Sequence, residues 1–300
     1  MSILIDETTR VIVQGITGRE GSLRSKYMKE YGTKVIAGTS PGQGGQQVEG
    51  IPVYNTVKEA IRNHGNVDIS VTFIPGPGWK TAAMEAIDAG VKCIVAPVER
   101  VPVHDSMAIM NAAQKAGVMI IGPGSIGVLS SGKAIAGWLG GNVKWANELF
   151  SPGPIGVLSR SGGQSATVPW LLKKGNLGVS TAVHTGTEPI IGASFADMLL
   201  LFEKDDQTKA VAAFGEIGGV QEEEVAEVIA SGRFTKPFVI YIAGSAAPEG
   251  QRFSHASAIV VRGRGSVANK VKMLRDAGAY PVETPKDIVP TLKKLLNIQG

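Results

Sequence analysis

Residues 11–21 read Val-Ile-Val-Gln-Gly-Ile-Thr-Gly-Arg-Glu-Gly, with glycines at positions 15, 18 and 21. An apolar run followed by closely spaced glycines is typical of a buried strand that turns tightly into a helix. Such a loop lets backbone N–H groups and a helix N-terminus approach a ligand phosphate. The stretch therefore predicts a strand–loop–helix unit with a phosphate site, and glycines placed for packing in a tight turn remain the alternative.

The same alternation of short apolar runs and helical patterns extends along the chain of 300 residues. Short apolar runs separated by helices are typical of a parallel sheet covered on both faces. The alternation stops between 122 and 154, where Gly, Ser and Trp are frequent, and it then resumes. We predict an α/β protein with two doubly wound domains, at 1–125 and 155–300, and an interdomain connection at 126–154.

Composition limits the classes of function. The net charge is +4 and no run of five basic residues occurs, so nucleic-acid binding is weakly supported and a small anionic ligand explains the charge equally well. Cys93 is the only cysteine, which excludes a disulfide within the chain and suits a reducing compartment. The chain has neither a signal-peptide pattern at its N-terminus nor an apolar run of about 18 residues, and we predict a cytoplasmic location without a membrane.

A nicotinamide dinucleotide is disfavoured as the ligand of the first domain. The glycines follow a G-x-x-G-x-x-G spacing, and the second strand ends at residues 37–40 without an acidic residue for a ribose. Irregular loops at 41–45 and 74–78 follow the next strands of the predicted sheet. Because ligands bind beyond the carboxyl ends of strands, these loops indicate a wide cleft for a long ligand with a diphosphate.

Three motifs follow strand-like runs in the second domain. They are Ser161-Gly162-Gly163, Glu216 between glycines, and His255 in a loop of small residues. We predict that they converge on a phosphate site, with His255 as nucleophile, Glu216 orienting its ring, and Ser161 to Gly163 opening a helix that holds the phosphoryl group. Each motif considered alone also has a purely structural interpretation. Ser161 to Gly163 would be a helix cap, Glu216 a solvated acid and His255 a structural histidine.

No residues have the spacing of a metal site, and no G-x-x-x-x-G-K-[ST] loop is present. We therefore predict no metal on this chain. If a nucleotide phosphorylates His255, a partner chain supplies the nucleotide site.

Taken together, the motifs resemble the alpha subunit of succinyl-CoA synthetase, in the ADP-forming acyl-CoA synthetase superfamily. The resemblance runs along essentially the whole chain. The stretches that carry it are 1–6, 14–21, 41–45, 52–57, 121–123, 159–162, 202–205, 215–219 and 248–258. It implies a Rossmann-like CoA-binding domain followed by a flavodoxin-like ligase domain.

The resemblance also implies roles for particular residues. His255 would be transiently phosphorylated, and an ATP-grasp beta subunit would bind ATP or GTP with Mg²⁺ in a heterodimer or heterotetramer. Residues implied to contact CoA are Gly15, Thr17, Gly18, Arg19, Glu20, Gly21, Gln43, Ile74, Pro75, Val98 and Glu99. Residues implied to lie near a small carboxylate substrate are Ser125, His184 and Glu188. The expected product is an acyl-CoA formed through an acyl phosphate.

Several positions depart from the family pattern. Gln43 stands where the family has a lysine near a CoA phosphate, and the loops at 122–127 and 183–189 differ near the expected substrate. Ser-Arg-Ser-Gly-Gly at 159–163 and the stretch 231–237 are similar to the citrate-activating branch. One alternative is therefore the small subunit of a citryl-CoA synthetase, in which His184 would contact an extra carboxyl or hydroxyl group. The others are a non-catalytic CoA-binding protein of this fold and a dinucleotide dehydrogenase.

Overall fold

The computed structural model describes residues 2–244 and 265–298. Within these residues the strands form two seven-stranded sheets, each flanked by helices. None of the described helices combines the length and the apolar character that crossing a membrane requires.

The first sheet is built from the N-terminal part of the chain, where strands and helices alternate. Its strands are β1 (Arg10–Gln14), β2 (Lys34–Thr39), β3 (Gln47–Val48), β4 (Ile51–Tyr54), β5 (Ile69–Thr72), β6 (Cys93–Val95) and β7 (Met119–Ile121). Its helices are α1 (Arg19–Tyr31), α2 (Val57–His64), α3 (Gly76–Asp88) and α4 (Val103–Ala116).

The strand order of this sheet is β3-β4-β2-β1-β5-β6-β7, with parallel pairing from β4 to β7. From β1 the chain winds first toward β2 and β4, and it then crosses back to β5 on the other side. A doubly wound sheet opens a ligand crevice at such a reversal. The loops that follow β1 and β5 therefore lie side by side, as the Rossmann-like expectation requires.

The second sheet combines a parallel region with a short antiparallel hairpin. Its strands are β8 (Gly127–Ser130), β9 (Ala134–Gly137), β10 (Pro152–Ser159), β11 (Val179–His184), β12 (Ala210–Glu216), β13 (Phe238–Ala243) and β14 (Tyr280–Val282). The helices are α5 (Val143–Leu149), α6 (Thr167–Lys174), α7 (Phe195–Glu203), α8 (Gln221–Ala230), α9 (Val267–Asp276) and α10 (Ile288–Leu295), with a 3₁₀ turn at Pro285–Asp287.

The order of this sheet is β14-β13-β12-β10-β11-β8-β9, and its parallel part has the flavodoxin-like arrangement. Here the reversal lies between β10 and β12. In the ladder, Ser159 at the end of β10 pairs with both His184 of β11 and Phe214 of β12. The carboxyl ends of three neighbouring strands are therefore level at one edge.

The segment 126–154, which we expected to connect the domains, is part of the second sheet. β8 pairs antiparallel with β11, β9 pairs with β8, and α5 follows them. The sequence pattern missed this hairpin because its strands are rich in Gly, Ala and Ser and are not followed by the helices of a parallel crossover. The domain boundaries at 125 and 155 themselves stay a prediction.

Two helices carry a proline in their first turn. The helix after Ser161–Gly163, α6, begins at Thr167, and Pro169 lies in its first turn. A first-turn proline sacrifices no intrahelical hydrogen bond, which explains how the helix accommodates it. α3 begins at Gly76 and accommodates Pro77 in its first turn for the same reason.

Cys93 lies in β6, where 7% of its surface is exposed. Burial raises the pKa of the thiol to about 12. At neutral pH the reactive thiolate fraction is then on the order of one in 10⁵. We expect iodoacetamide to leave the folded chain unlabelled and to modify Cys93 after unfolding in guanidinium, as mass spectrometry would show. Rapid stoichiometric labelling of the folded chain would contradict this prediction.

Candidate active site

The glycine loop after β1 lies directly against the loop after β5. Gly15 has a φ of 79°, and a Cβ atom there would lie 2.5 Å from the carbonyl oxygen of Phe73 and 2.8 Å from Cδ1 of Ile74. Gly21 packs against the backbone of Gly15 with equally little room. Close packing therefore requires glycine at both positions. The packing interpretation of these glycines is compatible with a loop that binds a phosphate.

The loop ends at the N-terminus of α1, where Gly18 is the N-cap without a side-chain cap. The hydroxyl of Thr17 donates to Ser40 Oγ at 2.8 Å, which ties the loop to the end of β2. Thr17, Gly18, Arg19 and Glu20 are all exposed. Backbone N–H groups at an exposed helix N-terminus attract anions, so this edge suits the phosphates of a nucleotide-like ligand.

A cavity of about 230 Å³ opens beside this loop. It is lined by Glu20, Thr72, Phe73, Ile74, Pro75, Pro97, Val98 and Trp138. The fold thus brings together residues from three separate stretches that we predicted as CoA contacts: Glu20, Ile74 with Pro75, and Val98. Glu99 and Gln43 are exposed and do not line this cavity.

The second cluster lies at the reversal of the second sheet. Arg160, the residue after β10, is 1% exposed, and its guanidinium lies 3.4 Å from the Glu216 carboxylate and 3.1 Å from that of Glu222. Its Nη1 also donates to the carbonyl oxygen of Gly218 at 2.8 Å. Glu216 therefore lies at the end of β12 as predicted, with an arginine partner that the sequence analysis did not single out.

Lys270 of α9 joins this cluster and shares its acceptors with Arg160. Its ammonium donates to the carbonyl oxygens of Glu216 at 2.9 Å and Gly218 at 2.7 Å, and to the Glu222 carboxylate. Burial would raise the pKa of Glu222, but Arg160 and Lys270 outweigh it, so this pKa lies below its ordinary value. Glu222 is thus a buried carboxylate held in its charged form by two cations.

The turn 216–219 also holds the chain on both sides of the segment that contains His255. Ile217 N–H donates to the carbonyl oxygen of Ala243 at 3.0 Å, and Gly218 N–H donates to that of Gly265 at 2.8 Å. Gly265 N–H donates in turn to Glu223 Oε1 at 3.1 Å. His255 itself lies outside the described residues, so its position relative to Glu216 stays a prediction.

The Ser161-Gly162-Gly163 stretch forms a turn and does not open a helix directly, since residues 162–166 precede α6. Ser165 Oγ donates to the carbonyl oxygen of Gly162 at 2.6 Å and closes this turn. Among the described residues, a Cβ atom on Gly163 would meet nothing within 4 Å. The turn therefore leaves open space for a ligand group at the carboxyl end of β10.

His184, at the end of β11, lies beside this turn. Its ring is buried, and a Cβ atom on Gly162 would lie 3.7 Å from His184 Cε1. His184 Nδ1 accepts a hydrogen bond from the Ile126 N–H at 2.9 Å, so the neutral ring carries its proton on Nε2. The predicted substrate histidine is thus placed next to the predicted phosphate turn.

Ser125 and Glu188 have structural partners. The Ser125 hydroxyl donates to the carbonyl oxygen of His184 and accepts from Gly127 N–H at 2.9 Å. The Glu188 carboxylate accepts from Arg100 N–H at 2.8 Å, where Arg100 has a φ of 58°. Ser125 therefore ties the segment after β7 to the end of β11, and Glu188 holds the loop at Arg100, while the substrate role of both residues stays a prediction.

Sequence reasoning missed Arg160, Glu222, Lys270 and Trp138. Arg160 lies inside a quoted motif, and its position between a buried strand and a glycine turn was the available signal. Lys270 and Glu222 look like ordinary helix residues in the sequence, since nothing local shows that their helices face one another. Trp138 lies in the hairpin segment that we took for a connection.

Two family models match the chain, one described as a CoA binding domain over residues 6–100 and one as a succinyl-CoA ligase like flavodoxin domain over 152–295. The alpha subunit of the ADP-forming succinate–CoA ligase of Aquifex aeolicus is 43% identical over 99% of this chain and 96% of its own length. The chain belongs to the succinate–CoA ligase alpha-subunit family. Family membership confirms the predicted resemblance and the two-domain α/β fold.

Other members of the family and its structural neighbours differ in substrate. A subunit of an ADP-forming sulfoacetate–CoA ligase from an Acholeplasma species is 43% identical over 98% of both chains. ATP citrate lyase of Methanosaeta concilii superposes with a TM-score of 0.88 at 23% identity, covering 99% of this chain and 52% of that one. This chain thus spans about half the length of that lyase chain, and the likeness shows a shared fold.

Proposed function

We propose that this chain is the alpha subunit of a nucleotide-dependent acid–CoA ligase that works through a phosphohistidine at His255. The observation that carries the proposal is the placement of Glu216 and the Ser161–Gly163 turn at the carboxyl ends of the adjacent strands β12 and β10. Membership of the succinate–CoA ligase family supports it, since the relatives are named ADP-forming CoA ligase subunits.

The proposed reaction consumes an acid, CoA and a nucleoside triphosphate, and it yields an acyl-CoA, a nucleoside diphosphate and phosphate. A ring nitrogen of His255 takes the terminal phosphoryl group, and the P–O bond to the diphosphate breaks. A carboxylate oxygen of the substrate then attacks phosphorus, which frees the histidine and forms an acyl phosphate. The CoA sulfur attacks the acyl carbon, loses its proton and expels phosphate.

The chain's own groups have distinct tasks in this scheme. The Glu216 carboxylate would accept a hydrogen bond from His255 and select the nitrogen that reacts. The N–H groups of Gly162 and Gly163 would donate to phosphoryl oxygens, while the Ser161 N–H donates to Ser159 Oγ at 3.1 Å. Arg160 keeps Glu216 in place through their 3.4 Å ion pair.

We propose that the partner is an ATP-grasp beta subunit that binds ATP or GTP together with Mg²⁺. The support is that this chain has no P-loop sequence, while the described residues hold no cluster of three potential metal ligands. The nucleotide and its metal would therefore be presented to His255 by the second chain.

The substrate we propose is a small carboxylic acid with a second anionic group. Succinate and sulfoacetate, named for two relatives, both have this form. A second candidate is citrate, favoured by the second glycine in Ser-Arg-Ser-Gly-Gly and by the buried His184 beside Gly162. In that case His184 would contact the additional carboxyl or hydroxyl group.

The test is an acid panel with the purified complex of this chain and its partner subunit. Phosphate release that depends on CoA and nucleotide is measured with succinate, sulfoacetate, malate and citrate, with ATP and with GTP. We expect activity with one acid and an acid-labile, base-stable phosphate on this chain. CoA binding without phosphorylation or acyl-CoA formation would instead favour the non-catalytic CoA-binding alternative.

Gln43 offers a separate prediction about CoA affinity. It is exposed in the loop after β2, and its N–H donates to the Ser40 carbonyl oxygen at 3.0 Å. A lysine here adds a cation near the proposed CoA phosphates, so Gln43→Lys should bind CoA about two- to fivefold more tightly at low salt. Calorimetry measures this, with Gln114→Lys at the exposed C-terminal end of α4 as the matched control for unspecific charge. Equal affinities of wild type and Gln43→Lys would place the phosphates elsewhere.

A further inference from the structure

The turn at 216–219 carries the Glu216 carboxylate and directs two of its carbonyl oxygens to the same pair of buried cations. Gly218 and Gly219 have φ values of 76° and 62°, a left-handed conformation that glycine adopts without strain. The carbonyl oxygens of Glu216 and Gly218 each accept from Arg160 Nη1, at 3.2 and 2.8 Å, and from Lys270 Nζ, at 2.9 and 2.7 Å. Arg160 and Lys270 therefore fix the path of the main chain at Glu216.

The ammonium of Lys270 uses all three of its N–H donors in this cluster. It donates to the carbonyl oxygens of Glu216 and Gly218 and to the Glu222 carboxylate. The Lys270 side chain is fully buried, and burying an ammonium is costly unless it is paired and hydrogen-bonded. An apolar side chain of similar volume fills such a space at lower cost. Packing alone therefore does not explain a charge at this position.

Lys270 also lies on the helix that follows the segment containing His255. The Gly218 N–H donates to the carbonyl oxygen of Gly265 at 2.8 Å, and a Cβ atom on Gly265 would lie 2.9 Å from Gly218 Cα. α9 then begins at Val267 and brings Lys270 back to the same turn. The turn that carries Glu216 and the chain that enters α9 are therefore held together by main-chain and side-chain bonds.

We propose that Lys270 is a positioning residue for the phosphoryl transfer, a proposal that rests on the ligase function proposed above. Arg160 holds the Glu216 side chain through their 3.4 Å ion pair, whereas Lys270 holds the main chain that carries this side chain. Without the ammonium, the carbonyl oxygens of Glu216 and Gly218 each lose a hydrogen bond, and the carboxylate shifts from the position in which it would orient His255. A displacement of about 1 Å at a reacting centre can slow a reaction about a hundredfold.

The test uses Lys270→Met in the purified complex of this chain and its partner subunit. Methionine keeps a long side chain but has no donor for the two carbonyl oxygens. We expect the rate of phosphorylation, from the labelled nucleoside triphosphate that the wild-type complex uses, to fall about 10- to 100-fold, with the KM for nucleotide and the Kd for CoA unchanged. The matched control on the same helix is Lys272→Met, since the Lys272 side chain is 75% exposed and pairs with Asp276.

A double variant separates positioning from the balance of buried charge. Lys270→Met together with Glu222→Gln removes one cation and one carboxylate, so its unfolding midpoint in denaturant should lie above that of Glu222→Gln alone. Glutamine keeps an oxygen for the Glu216 N–H, from which Glu222 Oε1 accepts at 3.2 Å. Glu222→Gln alone also keeps both carbonyl bonds of Lys270, so it should be phosphorylated faster than the double variant despite its lower midpoint. A role in stability alone does not produce this reversed order.

Three results would overturn the positioning role and leave the ligase proposal intact. They are a wild-type rate in Lys270→Met, rates that follow the unfolding midpoints of Glu222→Gln and the double variant, and loss of the folded state in both variants that lack Lys270. A wild-type complex that never phosphorylates this chain would instead overturn the ligase proposal, and the positioning role would fall with it.

Discussion

His255→Ala is expected to abolish phosphorylation of this chain and to lower acyl-CoA formation by the complex at least about 10³-fold. Alanine has no nucleophilic nitrogen, so the phosphoryl group cannot be transferred to the chain. CoA affinity should be unchanged, because the proposed CoA site lies on the first sheet. Phosphate incorporation from labelled ATP and CoA calorimetry measure the two effects. The matched control is His104→Ala, since His104 is an exposed histidine of α4.

A graded effect is expected for Glu216→Gln in the same assay. Glutamine keeps the shape of the side chain but loses the charge that would orient the His255 ring and that pairs with Arg160. We expect the phosphorylation rate to fall roughly a hundredfold or more, with CoA affinity unchanged. Full phosphorylation of the His255→Ala chain would move the nucleophile to another residue, and a normal rate in Glu216→Gln would remove the orienting role.

Glu222→Gln is expected to lower the free energy of unfolding by about 3–5 kcal/mol. The Glu222 side chain is fully buried between Arg160 and Lys270, so glutamine leaves two buried cations without the carboxylate that both contact. Glu227→Gln is the control on the same helix, where the side chain is exposed, and it should stay within about 0.5 kcal/mol of wild type. Denaturant unfolding at pH 7 measures both values.

The same substitution predicts a difference in pH dependence. The pKa of Glu222 is lowered in the folded chain, since the two neighbouring cations outweigh burial. The carboxylate therefore contributes stability that is complete above its unfolded pKa and is lost as the pH falls through its folded pKa. Wild type should lose its advantage over Glu222→Gln on acidification below about pH 4.5. A constant gap between the two down to acid pH would contradict the charged state of Glu222.

Most strands and helices follow from local patterns in the sequence. The apolar run before Gly15 predicted β1, and the run before Glu216 predicted β12, because a strand buried on both faces must be continuously apolar. The same local patterns did not predict the hairpin of β8 and β9. Its small residues resemble a loop, and only pairing with β11 makes strands of them.

The residues of the candidate site also fall into two groups, those that the sequence predicted and those that it did not. Gly15, Ser161 and Glu216 were recognised because glycine turns and a lone acid at strand ends are unusual in a local pattern. Arg160 and Lys270 were not recognised, because an arginine or a lysine is ordinarily expected to be exposed to solvent. Their burial against Glu222 depends on the packing of α8 and α9 over the end of β10.

The sequence by itself determined the alternating α/β architecture, the strand-end motifs and the family, since each depends on residues close together in the chain. The tertiary structure decided which strand ends are neighbours: the reversals between β1 and β5 and between β10 and β12 put the motifs side by side. It also decided that Trp138 lines the cavity beside the glycine loop and that two cations hold the Glu216 turn. These contacts join residues far apart in the chain, where no local pattern specifies distance or burial.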